Sequence, residues 1–219
     1  MTEFQSFPKM ARLSRECIIT EKIDGTNAQV CIVPVENAHL SKTEHVCIYD
    51  GKTIFAGSRN RWITPDDDNF GFAAWVRDNG EMLARLGPGR HFGEWWGSGI
   101  QRRYGLTDGD RRLSLFNVQR WHAAGEKPRE FAPADPRRPS RFTTELPPCV
   151  GTVPVLHIGD FESDWVDEMV DVLRGDGSRA APGFMNPEGV VVYHVAGNVG
   201  FKKTLDRDGM PKSLIGGAS

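Results

Sequence analysis

Four short segments of this 219-residue chain combine side chains that can handle phosphate. The first is Glu21-Lys22-Ile23-Asp24-Gly25-Thr26-Asn27, where a lysine stands between two apolar runs, Cys17 to Thr20 and Ala28 to Val35. A lysine amine attacks phosphorus only when unprotonated, and a desolvated setting beside other cations favours that form. Taken alone, K-x-D-G also reads as an Asp-Gly turn with an exposed lysine next to it. The second segment, Phe92-Gly93-Glu94-Trp95-Trp96-Gly97, places one carboxylate in an otherwise apolar run. A buried charge must be bonded or neutralised, whereas on an edge strand Glu94 would simply face water. The third, Pro187-Glu188-Gly189-Val190-Val191-Val192-Tyr193, opens a β-branched run with a carboxylate suited to a metal or a ribose hydroxyl. The fourth, Gly200-Phe201-Lys202-Lys203-Thr204, offers two cations that could meet a phosphate.

The elements that must hold these segments follow from periodicity. Val46 to Tyr49 and Thr53 to Ala56 flank Asp50-Gly51, a hairpin signal because both turn residues tolerate positive φ. Asp66 to Asp68 offers carboxylates for a helix start, and Phe72, Trp75, Val76, Met82, Leu83 and Leu86 recur at helical spacing. His91 to Trp96 and Leu113 to Val118 read as strands around a Gly- and Arg-rich loop, 97 to 112. Residues 122 to 150 read as a long surface excursion. Trp165, Met169, Val170 and Leu173 mark a second amphipathic helix ending at Gly175. The runs Gly189 to Val195 and Val199 to Leu205 then form a hairpin about Gly197-Asn198. The hairpins argue for antiparallel sheets and an α+β fold.

Composition is ordinary for a globular protein, with 39% hydrophobic and 26% charged residues. No apolar run is long enough to span a bilayer, and the start of the chain lacks the apolar core of a secretion signal. The expectation is a single soluble, cytoplasmic domain over residues 1–219. The four cysteines show no C-x-x-C pair, so reduced core thiols are preferred over a zinc site built from His39, His45 and Cys47. With net charge −2, nucleic-acid binding rests on local clusters: Arg59 and Arg61, Arg102 and Arg103, Arg111 and Arg112, Lys202 and Lys203. The central arginine pairs read equally well as solvated faces. Trp75 and Trp165 read as core, Trp95 and Trp96 as one inward ring and one free ring. His91 and His157 read as hydrogen-bonded structural histidines, and Asp24 as a turn-former or a positioner of Lys22.

In order and spacing the four segments resemble motifs I, III, IV and V of the covalent nucleotidyltransferases, which comprise DNA ligases, RNA ligases and mRNA-capping enzymes. Thr20 to Asn27 and Phe92-Gly93-Glu94 through Gly99-Ile100-Gln101 look most like the RNA ligase 2 branch. Arg59 falls where that family has motif Ia, and Phe116 where it has the aromatic of motif IIIa. The resemblance runs from about residue 16 to 206. It implies a nucleotidyltransferase (ATP-grasp-like) domain with two antiparallel sheets, flanked by helices, enclosing a nucleotide pocket. It implies that Lys22 takes AMP from ATP, with Mg²⁺ or Mn²⁺, and passes it to an RNA 5′-phosphate that a 3′-hydroxyl then attacks. By the same resemblance Glu21, Ile23 and Asn27 line the nucleotide pocket, and Glu94 holds ribose hydroxyls. Phe116 stacks on adenine, and Glu188 binds the metal. Lys202 and Lys203 neutralise the α-phosphate, and Arg59 holds the nucleotide or the RNA 5′-phosphate.

Two departures stand out. Many relatives separate the motif V lysines by one residue, so both point to one face of a strand. Here they are adjacent, and strand geometry sends them to opposite faces. Relatives also commonly carry a further C-terminal domain, so either a partner protein or chain, or the chain's own arginine clusters and the 122–150 excursion, is expected to hold the RNA. Rival readings are a minimal DNA ligase, a capping guanylyltransferase, and a nucleic-acid-binding module with a stalled adenylylation site.

Overall fold

The computed structural model describes residues 3–7, 9–40, 44–131 and 139–206, with the side chains of 38–40 left aside. In chain order it begins with β1 (Glu16–Lys22), β2 (Thr26–Pro34), β3 (Cys47–Tyr49), β4 (Lys52–Gly57) and β5 (Trp62–Ile63). Next come α1 (Phe72–Asp78), α2 (Gly80–Leu83), β6 (Gly89–Gly97), β7 (Arg111–Leu115) and β8 (Trp121–His122). Then follow β9 (Glu130–Phe131), β10 (Arg141–Phe142), β11 (Thr144–Glu145), β12 (Val150–Thr152) and β13 (Val155–Asp160). The last are α3 (Ser163–Asp176), β14 (Gly189–His194) and β15 (Val199–Thr204). Two compact units result. One joins Met1–Lys22 to Pro154–Ser219, and the other is the continuous stretch Ile23–Val153.

The discontinuous unit holds a four-stranded sheet of order β13-β1-β14-β15, antiparallel throughout the described residues. Cys17 and Ile19 of β1 and Val190 and Val192 of β14 share one face, and the buried stripe of α3, Met169, Val170 and Leu173, packs on it. Burying each such side chain contributes about 1.5–3 kcal/mol before chain entropy is counted. The expected helix and the expected hairpin, with Asn198 at φ 48°, are both present. Trp165 is partly buried against this core, as expected. His157 departs from expectation: its ring stacks on Trp165 at 4.4 Å, and its Nε2 is buried without a hydrogen-bond partner.

The continuous unit holds a seven-stranded sheet, β12-β7-β6-β2-β4-β3 with β5 beside β4. Its packed face carries Ala28, Val30, Ile32, Ile54, Ala56, Trp95, Leu113 and Leu115, covered by Phe72, Ala73, Val76 and Leu83 of the helices. Trp75 joins this cluster from the side. The Asp50-Gly51 turn joins β3 to β4 with both residues at positive φ. The expected single helix is broken at Asn79, whose Nδ2 donates to the Trp75 carbonyl at 2.9 Å and so competes with the backbone ladder. The helix-starting carboxylate is Asp68, which accepts from the Ala73 and Ala74 amides.

The expectation of purely antiparallel sheets needs correction at two pairings: β12 lies parallel to β7, and β11 parallel to β8. A parallel neighbour requires a crossover of a dozen residues or more, and the stretch after β7 supplies it. That stretch contributes Trp121, Leu146 and Val150 to the main core. Trp95 and Trp96 also depart from expectation, since both are buried. Trp95 sits in the helix-covered core, and Trp96 on the other face is covered edge-on by Tyr104 at 5.2 Å.

His91, 4% exposed, bonds the Gly87 carbonyl through Nε2 at 3.0 Å, as a structural histidine should. Burial, with Arg120 nearby, pushes its pKa below the usual 6.5. A base with a lowered folded pKa stays neutral while the unfolded chain takes up protons. Stability is therefore expected to be intact above pH 6.5 and to fall as pH drops below it. Urea titrations of wild type and His91→Gln across pH 5 to 8 check this. Equal pH slopes for the two proteins would count against it.

Candidate functional site

Lys22 is the last residue of β1, so the strand extends into the polar segment that separates the two apolar runs. Its Nζ donates to Glu188 Oε2 at 2.6 Å, the two side chains being 22% and 3% exposed. Glu188 immediately precedes β14, and the next residue can only be glycine. A Cβ on Gly189 would sit 2.2 Å from the Lys203 carbonyl oxygen. The E-G pair thus lets β14 and β15 approach closely while delivering a buried carboxylate to the end of β1.

Glu21, 1% exposed, points to the other face of β1. Its carboxylate accepts the Ser178 hydroxyl at 2.5 Å and the Arg179 and Ala180 amides at 2.7 and 2.9 Å. Burial raises its pKa, ahead of these bonds, which oppose the rise. The side chain is therefore engaged by the start of the 178–188 connection, the one that leads to Glu188. Glu21→Ala would leave a hydroxyl and two amides buried without their acceptor. At about 1–3 kcal/mol per unmet group, partly relieved by water, the expected loss is about 3 kcal/mol of stability. Urea unfolding measures it, and a loss under about 1 kcal/mol would reject the anchoring role.

Register separates the two adjacent lysines. Lys202 stands opposite Val191, which stands opposite Thr20, so Lys202 shares the sheet face of Thr20 and Lys22. Lys203 stands opposite Val190 on the α3 face and ion-pairs with Asp167 of that helix.

In the continuous unit, β2 and β6 pair so that Asn27 lies opposite Glu94. Because β6 is central, Glu94 is not an edge residue, and it is 8% exposed. Its Oε1 accepts from the Gly25 amide at 3.1 Å and its Oε2 from Asn27 Nδ2 at 3.2 Å. Asn27 Oδ1 in turn accepts from Arg59 Nε at 2.6 Å. Asn27, Arg59 and Glu94 are thereby brought into one hydrogen-bonded chain. Gly25 allows it: a Cβ there would lie 2.4 Å from the Trp95 carbonyl oxygen. Strand alternation puts Phe92 on the same face as Glu94, 51% exposed, and Phe116, 43% exposed, donates its amide to the Phe92 carbonyl. Ile23 is buried, at 3% exposure.

Ser178 and Tyr104, not singled out from sequence, and Arg102, read there as part of a basic cluster, complete the picture. Ser178 holds Glu21, while Tyr104 and Arg102 hold Asp24. The Asp24 amide donates to the Tyr104 hydroxyl at 2.9 Å, and Arg102 Nε lies 3.3 Å from Asp24 Oδ2. In sequence, the one available signal was a single aromatic in the Gly- and Arg-rich loop. That loop carries Gln101, Arg103, Tyr104 and Asp108 at φ of 44–59°, a left-handed conformation costing on the order of 1 kcal/mol each. Two of its other arginines have internal partners. Arg111 bonds the Ser98 and Phe70 carbonyls, and Arg112 pairs with Asp110 beside the Trp96 ring.

No group of three or more His, Cys, Asp or Glu among the described residues could cage a metal ion. His45 packs edge-on to Phe55 and Cys47 Sγ faces the Val76 carbonyl, while the side chain of His39 lies outside the described residues. The single buried carboxylate of Glu188 fits a hard divalent ion that draws its remaining ligands from phosphate oxygens and water, as Mg²⁺ commonly does. No described helix is long and apolar enough to cross a membrane.

A family model described as RNA ligase matches residues 15–205. Comparison with curated proteins finds no match. Among solved structures, three mutant forms of an RNA ligase from Naegleria gruberi resemble the chain. A ligand-free form has a TM-score of 0.51 at 19% identity, covering 87% of this chain and 50% of that one. A form with AMP and Mn has a TM-score of 0.52 at 18% identity, covering 88% and 50%. A form with ATP and Mn has a TM-score of 0.51 at 18% identity, covering 89% and 51%. The shared fold is thus a mixed one of sheets with few helices, and the chain spans about half the length of those proteins.

Proposed function

The chain belongs to the RNA ligase family, and on that premise we propose that it joins RNA ends with ATP through AMP carried on Lys22. The observation that carries this reading is the ion pair between Lys22 and Glu188 at the end of β1. A lysine held by a buried carboxylate on a strand terminus has a fixed position, unlike one on a surface turn, and it can attack once that ion pair is released and its proton lost.

In the proposed reaction Lys22 Nζ gives up its proton to water and then attacks the α-phosphorus of ATP. The N–P bond forms as the bond to pyrophosphate breaks. AMP then moves to the 5′-phosphate of an RNA strand, restoring the amine, and a 3′-hydroxyl displaces AMP to form the phosphodiester. Asn27 and Glu94 are assigned to ribose hydroxyls, Phe116 to the face of adenine, Ile23 to the wall of the nucleotide pocket, and Arg59 to a phosphate. Lys202 is assigned to the α-phosphate, where charge accumulates in the transition state. Glu188 would hold the divalent ion once Lys22 no longer claims its carboxylate, and such an ion supplies charge neutralisation at the phosphates. Glu21 is assigned to anchoring the connection that delivers Glu188. Mg²⁺ and Mn²⁺ are both proposed, and a partner chain is proposed to assist in gripping RNA. The site is proposed to work in the cytoplasm, as one adenylyltransferase module.

The test is incubation of protein stripped of bound nucleotide with α-labelled ATP and Mg²⁺, followed by mass mapping of the adduct. AMP on the peptide containing Lys22, discharged by nicked or single-stranded RNA in preference to DNA, supports the reading. No adduct, or an adduct on another residue, sinks it.

A further inference from the structure

We propose that Tyr104 and Arg102 form a latch that positions the turn following Lys22, and that the strained loop between β6 and β7 exists to deliver it. The inference rests on Lys22 being the adenylylated residue. Four observations within the continuous unit carry it. The Tyr104 hydroxyl accepts the Asp24 amide at 2.9 Å, and Arg102 Nε faces the Asp24 carboxylate at 3.3 Å, so backbone and side chain of one residue are both held. The Tyr104 ring is 2% exposed and packs edge-on to Trp96, so its hydroxyl has little freedom. Four non-glycine residues of the loop adopt left-handed backbone, Arg103 and Tyr104 consecutively. Finally, the next amide along, that of Gly25, donates to Glu94 at 3.1 Å.

Strain persists where surrounding structure over-determines it, and here it is spent on bringing two polar groups to one aspartate. A loop needed only to connect two strands would relax. Asp24 lies two residues after Lys22, and its neighbour Gly25 is bonded to the carboxylate assigned to the ribose. The latch therefore sets both the backbone leaving the nucleophile and a bond that orients Glu94. Tyr104 and Arg102 are positioning residues on this account, touching no substrate themselves.

The conservative variant Tyr104→Phe keeps the ring and removes the acceptor. Its rate of lysine adenylylation at saturating ATP should fall about tenfold to a hundredfold, the size of effect a small misplacement of a reacting group produces. Thermal stability should change little, and amide exchange of the peptide spanning Ile23 to Asn27 should quicken. Arg102→Gln should act in the same direction, and the double variant should be no worse than the larger single effect, because both hold one residue. Faster exchange with an unchanged rate would overturn the positioning role, as would unchanged exchange. A rate loss that simply follows a large drop in melting temperature would overturn it too. If wild type takes no label, the lysyl-AMP reading fails, whereas the exchange comparison still reports whether the latch holds Asp24.

Discussion

Lys22→Ala is expected to take no detectable label from α-labelled ATP, a loss on the order of a millionfold, the scale seen when a covalent nucleophile is deleted. Lys22→Arg should fail as completely, although it keeps charge and length. A guanidinium is not deprotonated in proteins and cannot supply the lone pair that attacks phosphorus. The structure makes the comparison clean. Lys22 lies at a strand end with a side chain 22% exposed, so truncation opens no core cavity, but it takes the ion pair from the buried Glu188 carboxylate. Lys22→Ala should therefore melt below wild type, by about 3 kcal/mol of stability, while Lys22→Arg, which keeps the charge, should melt closer to it and separates lost chemistry from lost stability. Sealing of RNA that already carries a 5′-adenylate needs no attack by Lys22, so that last step should survive in Lys22→Ala. Sealing lost from both substrates would assign Lys22 a wider role, and label retained on Lys22→Ala would remove it from the chemistry.

The second large effect divides two neighbours that sequence treats as equals. Lys202→Ala is expected to slow adduct formation about a hundredfold to a thousandfold, the usual cost of deleting one group that stabilises developing negative charge. Lys203→Ala should leave the rate within about threefold and cost at most about 1 kcal/mol of stability, since its exposed ion pair with Asp167 is of the weak surface kind. The asymmetry follows from register: Lys202 is on the face of Thr20 and Lys22, and Lys203 is on the α3 face. Asp167→Ala should reproduce the small effect of Lys203→Ala. Equal rate losses for the two lysines would show that the strand bulges on binding nucleotide, and would refute the face assignment.

What sequence reveals here is what short-range chemistry encodes. Asp50-Gly51 and Asn198 require positive φ, so both hairpins are legible. The spacing of Met169, Val170 and Leu173 encodes α3. Glu94 interrupts an apolar run and Glu188 opens one, and such buried carboxylates are tolerated only where partners wait. The partners are another matter. Ser178 meets Glu21 across 157 positions and Tyr104 meets Asp24 across 80, and no periodicity reports such separations. The choice between Lys202 and Lys203 needs the register of β14 against β15. The parallel β12 was illegible for the same reason, because a two- or three-residue strand carries almost no pattern. One of Trp95 and Trp96 looked free because alternation says which face a residue takes and nothing about what covers it, and Tyr104 covers Trp96.

The split of the four-stranded sheet across the chain has a consequence for the order of folding during synthesis. β1 leaves the ribosome early, yet its two neighbours, β13 and β14, are made only after residue 154. The intervening stretch, Ile23–Val153, contains all of its own sheet partners and can complete its core while synthesis continues. β1 must wait unpaired through that interval, since closing so long a loop yields no contacts until the far strands exist. Lys22 therefore meets Glu188 only after residue 188 has been made, so their ion pair forms later than the core of the continuous stretch can.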